Sequence, residues 1–356
     1  MVSGPSVIAA PTYTALIARE PATRMETLRL WCEQVLGLPL GIAPLAGDAS
    51  FRRYYRLSGC QPARLAVHAP PEKEKNLEFR RIAALLRGAG VRAPAVLAHH
   101  EANGFLLIED FGDSLLLPAL SEDAVDGLYT RALGTLLAVQ RAPTAAPDWS
   151  LGDYSSALLA QEMALFPEWF LRELLGISPD PADEALLAGL FGRLVDEALA
   201  QPQVFVHRDY HSRNLMLIEG EALGVIDFQD AVRGPVTYDL VSLLRDCYVS
   251  WPQARVEAWA LGYAERAAAA GVMLAVEPAT FLRWFDLMGL QRHIKVLGIF
   301  ARLWLRDGKR GYLKDLPLVM RYTLAEADAH PDTRAFADWF RARVLPLARA
   351  QDWFGE

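Results

Sequence analysis

Apolar and polar positions divide the chain into two stretches of different character. Residues 1–20 read as a loose extension, small residues punctuated by Pro5 and Pro11 and closed by Pro21. Leu28, Leu30, Trp31 and Val35 then mark a first helix that Gly37 ends. Arg64–His68 has the pattern of a strand, and residues 75–87 that of a helix turning Leu77, Ile82, Leu85 and Leu86 inward. Residues 91–100 and 105–109 form a hairpin around Asn103-Gly104, a pair suited to a tight turn. From Ser121 onward the period is helical almost throughout, over 121–140, 183–200, 238–248, 253–270, 280–305, 321–328 and 333–348.

This pattern predicts an α+β fold of two lobes. A small N-terminal antiparallel sheet with a helix spans 21–110, and a larger, mainly α-helical C-terminal lobe spans 111–356. An extended connector at 108–113 joins them, offering free backbone groups and the side chains of Glu109 and Phe111 to a planar ligand.

One interruption in the helical half carries the chemistry. Residues 204–206, 215–218 and 223–226 are brief apolar β-segments, and between and after them stand Asp209, Asn214 and Asp227. This places Asp209 and Asn214 on a loop and Asp227 at a strand end, so that three oxygen-bearing side chains converge. Phosphoryl transfer needs such a set: a carboxylate to orient an attacking hydroxyl and take its proton, and hard oxygen donors for Mg2+ on the phosphates of ATP. His207-Arg208-Asp209, four residues, Asn214, then Asp227-Phe228 has the order and spacing of a kinase catalytic loop and metal loop. The same residues admit a second chemistry, because His207, Asp209 and His211 alternate and an extended segment would turn all three to one side as ligands of a hydrolytic metal.

Composition narrows the rest. The 36 basic and 43 acidic residues give a net charge of −7 with no basic tract, which speaks against a nucleic-acid partner. Cys32, Cys60 and Cys247 are too dispersed for a disulfide framework or a zinc pattern, which favours a reducing cytoplasm. No apolar run is long enough to span a membrane, and no obligate protein partner is evident. In the first lobe, Gly47, Asp48, Ala49 and Ser50 form a small-residue turn whose amides can approach a phosphate, and Arg52 and Arg53 follow it.

On these motifs the chain resembles the aminoglycoside phosphotransferase and choline kinase superfamily, of protein-kinase-like fold, over nearly its whole length. The shared pattern is His207, Asp209, Asn214 and Ile226-Asp227-Phe228, followed by residues 234–240, in which the family uses an Asp, here Asp239, to brace the catalytic loop. Too few residues separate Asp227 from Pro235 for a protein-kinase activation segment. A longer likeness, through residues 47–56, 206–216, 238–251 and 291–300, runs to bacterial kinases of cell-wall recycling that phosphorylate the anomeric hydroxyl of N-acetylmuramate and N-acetylglucosamine. It implies a small-molecule amino-sugar substrate and an α-1-phosphate product; an aminoglycoside, choline or homoserine kinase is the alternative.

The resemblance implies nucleotide contacts from the turn at 47–50, Arg52, Arg53, Glu109 and Phe111. It also exposes a departure: the third strand ends in His68 where such enzymes place a phosphate-binding lysine, so His68 or a nearby arginine, Arg56 included, is the candidate replacement. Glu78 would be the helix acid that normally orients that lysine. A carboxylated sugar calls for a basic acceptor pocket, a cationic acceptor for an acidic one. The candidates there are Tyr210, His211, Arg213, Asp230, Arg245, Trp251, Arg292 and His293, with Lys295, Gln229 and Arg233 nearby in sequence.

Overall fold

A computed structural model of the chain describes residues 21–45, 51–220 and 222–355. The N-terminal extension and the turn Gly47, Asp48, Ala49 and Ser50 lie outside the described residues. The chain divides into two compact units, one of residues up to 87 with 93–113, the other of 88–92 with 114–356.

In the first unit, α1 (Pro21–Leu36) is followed by β1 (Gly41–Pro44), β2 (Arg53–Ser58), β3 (Arg64–His68), α2 (Asn76–Gly88), β4 (Val96–His100) and β5 (Phe105–Glu109). The strands form one antiparallel sheet in the order β1-β2-β3-β5-β4. Leu28, Trp31 and Cys32 of α1 are buried against Leu57, Ala66 and Phe105 of this sheet, which is what holds a short helix in place. Leu77, expected inward, is 42% exposed, the buried positions of α2 being Phe79, Ile82, Ala83 and Leu86. Strand β4 starts only at Val96, since Pro94 cannot donate to a ladder.

The second unit is helical around three two-stranded ladders. Its elements run α3 (Val125–Gln140), the hairpin β6 (Ala145–Ala146) and β7 (Trp149–Ser150), α4 (Ser156–Met163), a π-helical segment Phe166–Leu174, and α5 (Pro181–Ala200). Next come β8 (Gln203–Val206), β9 (Leu215–Met216), β10 (Gly224–Val225), β11 (Val232–Pro235), α6 (Tyr238–Leu244), α7 (Gln253–Ala269) and α8 (Pro278–Leu305). Helices α9 (Leu316–Ala329), α10 (Arg334–Trp339) and α11 (Leu345–Arg349) close the chain. Sequence pattern missed α4 and the π-helical segment, where Pro167 removes a backbone donor and disturbs the period. It also missed β11, which pairs antiparallel with β8 despite Gly234 and Pro235.

Helix α8 is the spine of this unit, and most of its middle is buried. Gly298 sets how closely it approaches the chain after α4: a Cβ there would meet the Leu165 carbonyl carbon at 2.4 Å and oxygen at 2.5 Å. Among the described residues no helix is long and apolar enough to cross a membrane.

Candidate active site

Two ladders fix the loop that carries the three oxygen donors. Strand β8 delivers His207, Arg208 and Asp209, and the β9–β10 pair holds Asn214 and Asp227 at its end, where Ile226 N donates to Asn214 O at 3.1 Å. Arg208 and Asp227 both adopt left-handed backbone, φ 75° and 65°, in residues whose Cβ disfavours it. The surrounding structure supports that strain. Asp239, at the start of α6, accepts the His207 N–H at 2.6 Å and the Arg208 N–H at 3.0 Å. Arg292 of α8 donates to the Arg208 carbonyl at 3.0 Å. Asp246 accepts both the Ser212 N–H at 2.9 Å and its hydroxyl at 2.5 Å. Burial pushes the Asp239 carboxyl up to about 7 against the pull of those two amides.

His207 is a strut. Its Nδ1 accepts the Asp209 N–H at 3.2 Å, which leaves the proton on Nε2 to donate to Ile226 O at 3.0 Å. Burial lowers its pKa to about 4, so the ring is neutral near pH 7. Both ring nitrogens are therefore committed to backbone, which removes the hydrolytic-metal reading of His207, Asp209 and His211. Among the described residues no cluster of His, Cys, Asp and Glu has the makings of such a site.

Asp209 stands partly exposed at the wall of a cavity of about 300 Å³ formed within this unit. Burial opposes its ionisation, but the charges of Lys295 first, then His211, Arg292 and Arg208, outweigh it and hold the carboxyl below its ordinary value. Asn214 Nδ2 donates to Asp209 O at 3.0 Å, which turns the amide oxygen of Asn214 outward as a hard donor. The same Nδ2 lies 3.5 Å from Asp227 Oδ2, and Gln229 Nε2 steadies Asp227 Oδ1 at 2.8 Å. An amide oxygen and a carboxylate held side by side suit Mg2+ by donor chemistry.

Of the expected acceptor contacts, the cavity takes in Asp230 together with Asp209, Lys295 and Arg208. Others lie elsewhere. Tyr210 is fully buried, with its hydroxyl donating to Ala132 O at 2.8 Å, so it braces α3. Arg245 and His293 belong to a buried charge knot: Arg245 donates to Glu326 Oε1 at 2.9 Å and Asp286 Oδ1 at 2.7 Å, and His293 Nδ1 meets Glu326 Oε2 at 2.8 Å. Arg292 supports the loop from behind and also donates to Tyr238 Oη at 3.2 Å. Trp251 donates its indole N–H to Tyr129 Oη at 3.0 Å within an aromatic group that includes Trp259. Arg213 lies 3.5 Å over the Tyr248 ring, and His211 meets that ring edge-on.

The first unit corrects the phosphate-binding candidates in the same way. Arg52 is 2% exposed, covering Phe79 and reaching Glu74 Oε2 at 3.4 Å, so its charge is internal. Arg56 is forked onto Asp110 at 2.6 Å and Asp113 at 2.7 Å. His68 has its pKa lowered to about 4 by burial and then by Arg24, whose Nη1 lies 3.1 Å from its Nε2. A neutral imidazole cannot replace a lysine's charge. Arg53, opposite His68 in the β2–β3 ladder, is exposed and keeps its place as a candidate. Glu109 ties the end of α2 to β4, with Oε2 3.3 Å from Arg87 Nη1 and 3.2 Å from Ala95 N. Phe111 lies half-buried just beyond β5.

Sequence reasoning missed Glu162 and Arg302 altogether. Glu162 sits on the unanticipated α4 and binds both Arg208 and Lys295 Nζ, the latter at 3.0 Å. Arg302 was detectable in principle, since Lys295, Ile299 and Arg302 follow helical spacing within one predicted helix.

A family model described as the phosphotransferase enzyme family matches residues 41–278. A protein of Pseudomonas putida named N-acetylmuramate/N-acetylglucosamine kinase is 43% identical over 314 residues, covering 85% of this chain and 91% of that one. Its namesake in Pseudomonas aeruginosa is 44% identical over 294 residues, covering 83% and 86%. The solved structure of a Plasmodium vivax ethanolamine kinase superposes with a TM-score of 0.65 over 93% of this chain and 98% of its own; at 10% identity this is a likeness of fold. With the loop, its braces and the paired oxygen donors in place, and with matches of this extent, the chain belongs to the phosphotransferase enzyme family.

Proposed function

We propose that this protein is an ATP-dependent kinase that phosphorylates the anomeric hydroxyl of N-acetylmuramate and N-acetylglucosamine. The observation that carries the acceptor class is the wall facing Asp209, which presents Lys295 and Arg302 of α8 beside apolar Leu158, Leu165 and Ile299. The same lining also holds Glu162, Asp209 and Asp230, so its charge is mixed, and Lys295 and Arg302 are the groups that would give a carboxylated sugar cationic partners there. The relatives at 43–44% identity, named for these two sugars, support the same choice.

In this reading Asp209, kept ionised by Lys295, orients the sugar hydroxyl and takes its proton as the oxygen bonds to the γ-phosphorus and the bridging bond to ADP breaks. Asn214 and Asp227 would hold Mg2+, which when bound supplies positive charge to the phosphate oxygens. Arg208, strained and tied to Glu162 and Asp239, fixes the direction in which Asp209 points. ADP release should be followed with N-acetylmuramate, N-acetylglucosamine, choline, homoserine and aminoglycosides, using phosphorus NMR to locate the new phosphate. The expected result is turnover of the two amino sugars with phosphate on C1. Phosphate on another carbon, or turnover of cationic acceptors alone, would overturn the proposal.

A further inference from the structure

The two cations on the acceptor wall differ in what already holds them. Lys295 Nζ lies 3.0 Å from Glu162 Oε1 and 2.9 Å from Tyr238 Oη. Arg302 is half-buried, its Nε is sealed from solvent without a hydrogen-bond partner, and among the described residues no carboxylate forms an ion pair with it. Burial, more than repulsion from Arg306, works against its charge; Asp307 and Glu168 favour it through space without forming an ion pair with it, and Asp307 is paired with Arg306 at 2.8 Å. Arg302 nevertheless lines the cavity, so the part of its guanidinium that faces it can meet an anionic ligand there.

Arginine grips a carboxylate as a planar fork, and here it is the cavity-facing part of the guanidinium, not the sealed Nε, that a ligand can reach. Lys295, Ile299 and Arg302 share one face of α8 across two turns, about 10 Å of helix axis. Asp209 and Arg302 both line this cavity, and Lys295 is the charge that acts most strongly on Asp209. Leu158, Leu165 and Ile299 between them offer an apolar surface for the carbon face of a hexose.

We propose that Arg302 is the carboxylate anchor of the acceptor cavity, gripping the lactyl group of N-acetylmuramate while Asp209 takes the anomeric hydroxyl. This rests on the reading of the cavity as the amino-sugar site, and it assigns Arg302 the discrimination between two sugars that differ by that lactyl group. N-acetylglucosamine offers Arg302 no carboxylate and gains nothing from it.

The test is a chemical double cycle on the full-length enzyme: wild type, Arg302→Met and Arg302→Lys, each with N-acetylmuramate, its methyl ester and N-acetylglucosamine. Arg302→Met should lower the ratio of kcat/KM for N-acetylmuramate over N-acetylglucosamine by about 30-fold, the size of one charge-assisted contact. Wild type should lose the same factor on the ester, the ester with Arg302→Met should lose no more than either change alone, and Arg302→Lys should restore part of the preference. Equal losses on both sugars, or ester and variant losses that multiply, would overturn the assignment of Arg302 while leaving the kinase reading intact. A wild-type enzyme that phosphorylates neither sugar would overturn the kinase reading, and the assignment with it.

Discussion

Helix α8 carries charged side chains into two clusters built from the same residue types. In one, Asp286 and His293 join Arg245, Glu326 and His330, and each of the three bases meets a carboxylate within 3.0 Å. Gly289 lets the knot close, since a Cβ there would stand 2.1 Å from Glu326 Oε1, and Arg245 also covers the Phe285 ring. In the other, Lys295 and Arg302 line a cavity with Arg208 and Asp209, and the Nε atoms of both arginines are buried without partners. The first cluster is satisfied from within and ties α8 to α9. The second is incomplete, and it surrounds the carboxylate best placed for chemistry. A buried Nε without a partner does not by itself mark a site, since Arg292, which braces the loop, has one too; what distinguishes the second cluster is that its charges line a cavity beside Asp209.

The contrast can be broken in three places. The largest effect belongs to Asp209→Ala, which should lower kcat by at least about a thousandfold while nucleotide binding, read by titration calorimetry, stays near normal. Near-normal turnover would remove Asp209 from the chemistry. Next is Glu326→Ala, which leaves His293 and one arm of Arg245 unmatched in the interior, Asp286 still holding the other, and should cost about 3 kcal/mol of stability in urea denaturation. The surviving folded fraction should retain its kcat; a stable but inactive variant would show that the knot belongs to the site.

The smallest effect, and the most diagnostic, is that of Lys295→Met on the pH profile. Asp209 is held below its ordinary value chiefly by Lys295 against burial, and the proposed mechanism requires the ionised form. Without that charge the carboxyl titrates higher, so the acid limb of kcat/KM should move to higher pH. An unmoved acid limb would mean that His211, Arg292 and Arg208 suffice.

How much of this was legible beforehand depended on distance along the chain. The catalytic loop could be read because Asp209, Asn214 and Asp227 lie within one short stretch, separated by β-segments whose apolar character is itself local. Asp239 was readable for the same reason. Tyr210, Arg245, Arg292 and His293 were misplaced because proximity to a motif says nothing about which way a side chain turns. Tyr210 is next to Asp209 yet points at Ala132. Arg52 and Arg56 were misread because their acidic partners, Glu74, Asp110 and Asp113, come from other elements of the first unit.

By itself, then, the sequence determined the fold class, the loop proposed to do the chemistry and the oxygen donors that suit a metal, all features carried by short-range spacing. The acceptor wall was decided only in three dimensions. Helical period places Lys295, Ile299 and Arg302 on one face of α8, but nothing in that period says that the face meets Asp209 and α4. Glu162 lies more than forty residues before Arg208 and over a hundred before Lys295, and only packing brings the three together. Charge is an attribute of a residue, whereas whether that charge is met or left open depends on neighbours supplied by the rest of the chain.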